Sequence, residues 1–169
     1  CIFFCIEGTR SDGHDYGAAA LERGAAAIVC RKDLGLKRQV LVPDTREALG
    51  ICCNNFFGHP MEKLTLMAVT GTNGKTTITY LIKHILEKAG HRVGLIGTIH
   101  NEIDDVTLPA RHTTPDPIQL YAIFAKMAQA GCTHVVMEVS SHALDQQRVA
   151  GCRFVTGAFT NLTQDHLDY

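Results

Sequence analysis

The chain has 169 residues, of which 46% are apolar and 20% charged, and its net charge is −1 at neutral pH. This composition suits a soluble globular protein of one ordinary or two small domains, and no apolar run approaches the roughly 18 residues of a membrane span. A pI near 6.8 leaves no basic surface for nucleic acid or an anionic membrane, so both are excluded as partners.

Seven cysteines include no C-x-x-C pair, and the odd count with adjacent Cys52 and Cys53 argues against a disulfide framework. Buried thiols in a reducing cytosol are expected instead, and no signal peptide precedes them. The chain opens at Cys1 inside an apolar stretch and stops at Tyr169 within a polar one, so it is read as a fragment.

In chain order, residues 1–6 predict a strand and 16–24 an alanine-rich helix closed by Gly24. Residues 26–30 and 39–42 predict short strands, and 45–57 a helix with apolar residues at helical spacing. Gly58-His59-Pro60 punctuates the chain and sets the expected domains at 1–62 and 63–169. In the second, strands are predicted at 65–70, 93–97, 135–139 and 155–160, with helices at 75–89 and 117–130. The fold class is α/β: a small α/β domain, then an incomplete P-loop-type domain on a parallel sheet. Ligands of such sheets sit at the carboxyl ends of the strands.

Residues 69–77 read Val-Thr-Gly-Thr-Asn-Gly-Lys-Thr-Thr, between an apolar strand and an amphipathic helix. Gly71 and Gly74 permit a sharp turn with inward N–H groups, and the helix N-terminus adds its dipole. Lys75 supplies a charge for the β/γ-phosphates, and the Thr76 hydroxyl can hold Mg²⁺. The common G-x-x-x-x-G-K-[ST] pattern wants glycine at 69, where this chain has valine; its first glycine comes two places later. Context still points to a nucleotide triphosphate site, with Gly71, Thr72, Asn73, Gly74, Lys75, Thr76 and Thr77 as the cradle.

Three further constellations fall at strand ends. Glu138 ends an apolar strand, where a lone carboxylate is costly unless paired. By itself it is as readily salt-bridged as metal-bound; beside a phosphate loop, Mg²⁺ is the favoured partner. His166 stands between Asp165 and Asp168, a metal or phosphate site in pattern, although surface histidines are commoner. In Arg111-His112-Thr113-Thr114-Pro115-Asp116-Pro117, Asp116 is a helix N-cap with Pro117 at the first helical position. Thr113 and Thr114 are left to hydrogen-bond a ligand. Arg148, near Gln146, can clamp a carboxylate or phosphate, or be a solvated helix charge.

Together these stretches resemble the Mur ligase family, ATP-dependent amide ligases of peptidoglycan precursor synthesis. The resemblance rests on VTGTNGKTT (69–77), LIGT (95–98), TTP (113–115), MEVSSHAL (137–144) and FTNLTQDHLDY (159–169). Upstream, GTRSDGHDY (8–16) and residues 23–29 resemble the family's uridine-nucleotide-binding domain, which would make 63–169 part of the central ATP-binding domain. MEVSSHAL followed by TNLTQDHLDY is nearest the members that add the third amino acid, diaminopimelate or lysine, to UDP-N-acetylmuramoyl-L-alanyl-D-glutamate.

The resemblance implies ATP on 71–77, a first Mg²⁺ on Thr76 and Glu138, a second on His166, and Lys75, Glu138 and His166 as the catalytic set. It places Thr113, Thr114, Ser140, Gln146 and Arg148 on the muramoyl peptide, and Thr9, Arg10 and Ser11 near the uridine nucleotide. His112 departs from the asparagine expected before the threonine pair. The implied reaction runs through an acyl phosphate in a cytoplasmic monomer. The carboxylated lysine supporting the second metal, and the domain that selects the amino acid, are expected beyond Tyr169. Cyanophycin or folylpolyglutamate synthetases share this architecture, but the uridine-domain resemblance argues against them. A non-ligase P-loop module lacks support from any N-K-x-D motif.

Overall fold

A computed structural model describes residues 1–8, 11–104 and 106–163. Thr9, Arg10 and His166 with its flanking aspartates therefore lie outside the described residues. Two compact units divide at Cys52/Cys53, ahead of the Gly58-His59-Pro60 turn.

The first unit carries three parallel strands in the order β1 (Ile2–Phe4), β2 (Ala27–Cys30) and β3 (Gln39–Leu41), with Phe3 level with Ile28 and Ile28 with Gln39. Cys5, Ala25, Ile28 and Cys30 form its core, covered by Ala20 and Leu21 of helix α1 (Gly17–Glu22). The helix covers Gly17–Glu22 of the expected 16–24. Asp12 caps a 3-10 turn over Gly13–Tyr16, accepting the backbone N–H of His14 at 2.9 Å. Helix α2 (Thr45–Phe56) closes the segment, with the Asp44 carboxylate accepting from the N–H groups of Arg46 and Glu47 at its start.

The second unit is built on six strands: β4 (Thr65–Thr70), β5 (Val93–Ile96), β6 (His100–Ile103), β7 (Val106–Pro109), β8 (His134–Glu138) and β9 (Phe154–Phe159). Their order is β7-β6-β5-β8-β4-β9. The four predicted strands pair in parallel, and β8 and β5 are almost wholly buried, as expected of strands covered on both faces. The expected parallel sheet is thus present, and β6 and β7 extend it with an antiparallel hairpin at the β5 edge. Its tight turn is made by Asp104, at φ 55°.

Helix α3 (Lys75–Lys88) lays Ile78, Ile82 and Leu86 against Val69, Val93, Leu95 and Val136. Leu81 and Ile85 of the same run face outward. Helix α4 (Pro117–Gln129) buries Leu120, Tyr121, Phe124 and Met127, and its first turn is capped by Asp116, which accepts from Gln119 N–H at 3.1 Å. A short helix, α5 (Ser141–Asp145), follows β8. The seven cysteines are all free thiols, four of them buried; burial pushes the Cys5 pKa up to about 11. Among the described residues no helix is long and apolar enough to cross a membrane.

Candidate functional site

The carboxyl ends of β4, β8 and β9 adjoin one another, and the loops that leave them build a single site. The β4 loop turns at Gly71, whose φ of 123° disfavours a side chain, and a Cβ there would meet Thr160 Oγ1 at 2.2 Å. This close approach lets the loop be stitched to the segment after β9. Thr72 N–H donates to Asn161 O at 2.9 Å, Asn73 N–H to Asn161 Oδ1 at 3.1 Å, and Thr160 Oγ1 to Asn73 O at 2.7 Å. Thr163 N–H adds a bond to Thr72 Oγ1 at 3.0 Å. The expectation that the whole cradle points amides at a ligand is thereby narrowed: Thr72 and Asn73 spend theirs on the protein. The amides available for phosphate are those of the α3 N-terminus, Gly74 to Thr77, which helix geometry leaves without intrahelical partners.

Lys75 folds back over the loop, its ammonium donating to the carbonyls of Gly71 at 2.7 Å and Thr72 at 2.8 Å. A cleft of about 290 Å³ lies against it, lined by Gly71, Thr72, Lys75, Ser140, Leu144 and Phe159 among others.

One residue into α3, Thr76 donates its hydroxyl to Glu138 Oε1 at 3.0 Å. Glu138 is 1% exposed at the end of β8. It also accepts Thr98 N–H on Oε1 and the Thr98 hydroxyl on Oε2, each at 3.0 Å. No Lys, Arg or His pairs with it among the described residues. A buried carboxylate beside a hydroxyl is a hard-oxygen donor set that fits Mg²⁺.

Thr113 and Thr114 diverge. Thr98 has one hydroxyl hydrogen and gives it to Glu138, so across the 3.1 Å contact Thr113 is the donor and Thr98 the acceptor. The Thr113 oxygen therefore turns its lone pairs toward any ligand. Thr114, expected to be available, is 1% exposed and committed internally: it donates to Glu138 O at 3.0 Å and accepts from Ser140 N–H at 3.1 Å. Ser140 in turn caps α5, its Oγ accepting from Ala143 N–H at 3.2 Å while its hydrogen stays available. Arg148 grips Gln146 Oε1 with Nε and one terminal nitrogen, at 3.0 and 2.8 Å, and donates the other to Thr114 O at 3.0 Å. The structure thus gathers Lys75, Thr76, Glu138, Thr113, Thr114, Ser140, Gln146 and Arg148 in one region.

Sequence reasoning missed Thr98, which clasps both oxygens of Glu138; its only signal was the position of LIGT at a strand end. In the first unit, Ser11 is exposed next to Asp12, which forms a bridge with Glu7. His14, also missed, is buried. Its Nε2 accepts Arg31 N–H at 3.0 Å, so Nδ1 carries the hydrogen given to Asp12 at 2.6 Å. The backbone N–H and ring of His14, with Lys32, hold the Asp12 carboxyl well below the usual range. Glu7, Asp12 and His14 lie close enough to share a metal ion, but the Lys32 ammonium already sits 3.0 Å from Glu7 and 2.9 Å from Asp12.

Comparison with known proteins agrees with this layout. Residues 69–169 match the Mur ligase middle domain, and residues 1–57 match the Mur ligase family catalytic domain. UDP-N-acetylmuramoyl-L-alanyl-D-glutamate–2,6-diaminopimelate ligase of Parabacteroides distasonis is 48% identical over 99% of this chain and 35% of its own length. The Geobacillus thermodenitrificans ligase of the same name is 50% identical, with the same coverage. A solved structure of such a ligase superposes with a TM-score of 0.80 at 33% identity, covering 98% of this chain and 34% of that one. The chain spans about a third of the length of these relatives. The middle-domain match covers the phosphate loop and β5 to β9, more than half of the chain, and the chain belongs to the Mur ligase family.

Proposed function

We propose that the chain is the uridine-nucleotide-binding and ATP-binding portion of an ATP-dependent ligase that joins diaminopimelate to UDP-N-acetylmuramoyl-L-alanyl-D-glutamate. The observation that carries this reading is the adjacency of Lys75, Thr76 and Glu138 to the Thr113–Thr114–Ser140–Arg148 cluster, a triphosphate site abutting a polar acceptor site. The relatives' names supply the amino acid and favour diaminopimelate over lysine. Residues 1–62 take the uridine nucleotide, with Thr9, Arg10 and Ser11 approaching it, and 63–169 take ATP.

In the reaction, the dipeptide carboxylate attacks the γ-phosphate to give an acyl phosphate and ADP, and the incoming amine then displaces phosphate. Anion meets anion in the first step, so charge neutralisation dominates the barrier. Lys75 leaves the two carbonyls for the phosphates, and the α3 N-terminus adds its amides. Thr76 and Glu138 would hold Mg²⁺, with His166 on a second ion, and bound Mg²⁺ supplies positive charge to the phosphate oxygens. Ser140 donates to the peptide, Thr113 accepts from it, and Thr114 and Gln146 hold Ser140 and Arg148 in place. The reactants put this chemistry in the cytoplasm, in a chain read as a monomer.

Phosphate release by the full-length chain with ATP, Mg²⁺ and the UDP-muramoyl dipeptide tests the proposal. Release is expected with diaminopimelate and not with the other amino acids of a panel. Absence of release with diaminopimelate overturns it.

A further inference from the structure

We infer that Thr98 is a positioning residue that sets the orientation of the Glu138 carboxylate for its metal ion, an inference that rests on reading Thr76 and Glu138 as the Mg²⁺ site. A carboxylate at the end of a glutamate side chain rotates about its last bond with little cost. Here a single residue removes that freedom, giving its N–H to Oε1 and its hydroxyl to Oε2, both at 3.0 Å. The preceding residue makes room for the grip. A Cβ on Gly97 would stand 2.5 Å from Glu138 Oε1 and 3.3 Å from its Cδ, so the carboxylate lies on bare backbone.

Thr98 is exposed while Glu138 is buried, so the grip is applied from the solvent side of the carboxylate. Oε1 accepts both the Thr98 N–H and the Thr76 hydroxyl, which uses its two lone pairs, so the lone pair left for a metal is the second one on Oε2, beside the Thr98 hydroxyl. Through its 3.1 Å contact, the Thr98 oxygen also receives the Thr113 hydroxyl. The carboxylate for the metal and the threonine facing the acceptor cluster are thus set by one side chain. Partners of this kind, one bond removed from a metal, govern affinity by tens of fold when lost.

The test uses the full-length chain with Thr98→Val, which keeps the shape and the N–H, and Thr98→Ser, which keeps the hydroxyl. Mn²⁺ binding in the presence of ADP is followed by electron paramagnetic resonance, beside the Mg²⁺ dependence of phosphate release. Thr98→Val is expected to weaken Mn²⁺ about tenfold or more, Thr98→Ser to stay near the wild-type affinity, and the thermal midpoints to stay close together. Gly97→Ala, which displaces the carboxylate from the other direction, is expected to weaken Mn²⁺ as well. Wild-type Mn²⁺ affinity in Thr98→Val, or a loss that serine does not restore, overturns the inference. So does failure of Mn²⁺ to bind the wild type with ADP. If wild type binds Mn²⁺ in this Thr98-dependent way but releases no phosphate with the dipeptide, the ligase reading falls and the positioning role stands.

Discussion

Lys75 is held by two carbonyls that it must leave for a ligand, so its charge is neither buried nor dispersed in water. Lys75→Ala is expected to lower phosphate release by the full-length enzyme at least a hundredfold, about the effect of removing one transition-state donor, while far-UV circular dichroism stays unchanged. Thr114 carries a different load. Thr114→Val strands the buried Glu138 carbonyl and Ser140 N–H, and chemical denaturation is expected to show a loss of about 1–3 kcal/mol, largely restored by serine. Asp12 gives a pH signature to the first unit. Its carboxyl is depressed in the folded chain, so its contribution is complete above the unfolded value of about 3.9 and disappears as pH falls through the lower folded value. Thermal midpoints should therefore hold steady with respect to this group near neutrality and drop below about pH 4. Asp12→Asn should flatten that acid limb.

At the scale of elements, the phosphate loop acts as a strap between β4 and β9. Gly71→Ala is expected to push Thr160 and Asn161 away, cost about 1–3 kcal/mol of strain and weaken nucleotide binding measured by calorimetry. Most of this architecture was legible in the chain. Apolar runs flanked by glycine located all four parallel strands of the second unit to within a residue at each end, most plainly β5 and β8, which are buried on both faces. The hairpin was not legible. Its β6 face is held by polar contacts: Tyr80 hydroxyl to His100 at 2.9 Å and Lys83 to Glu102 at 2.7 Å. Burial alone would raise the Glu102 pKa, but hydrogen bonds from Lys83 and His100 outweigh it and keep the carboxyl below its usual range. Such a strand shows no apolar alternation, and no Asn-Gly or Asp-Gly pair marks its turn in the sequence. The turn at Gly71 and the helix start at Lys75 were legible, since glycine and lysine after an apolar strand signal such a turn, whereas the grip of Thr98 on Glu138 was not. The division of labour between Thr113 and Thr114 was not, because it depends on which hydroxyl hydrogen is already spent.

At the scale of the whole molecule, the chain spans about a third of the length of the ligases it resembles. The 169-residue chain by itself is expected to bind ADP with Mg²⁺ in a calorimetric titration and to form no amide product, whereas the full-length protein does both. Turnover by the shorter chain would show that the remaining two thirds are dispensable for chemistry. The stitching of the loop onto Asn161 and Thr163 also has a temporal side. Strand β4 leaves a growing chain before either of its neighbours, β8 and β9, and the loop waits for partners as many as 91 residues downstream. At ordinary rates of synthesis that wait lasts roughly 5 to 20 seconds. Until β8 emerges, β4 is an unpaired apolar strand, and Gly71 has nothing to lie against until Thr160 and Asn161 arrive. The amides at the start of α3 are thus made early, while the stitched shape of the loop before them is set only after β9 is made.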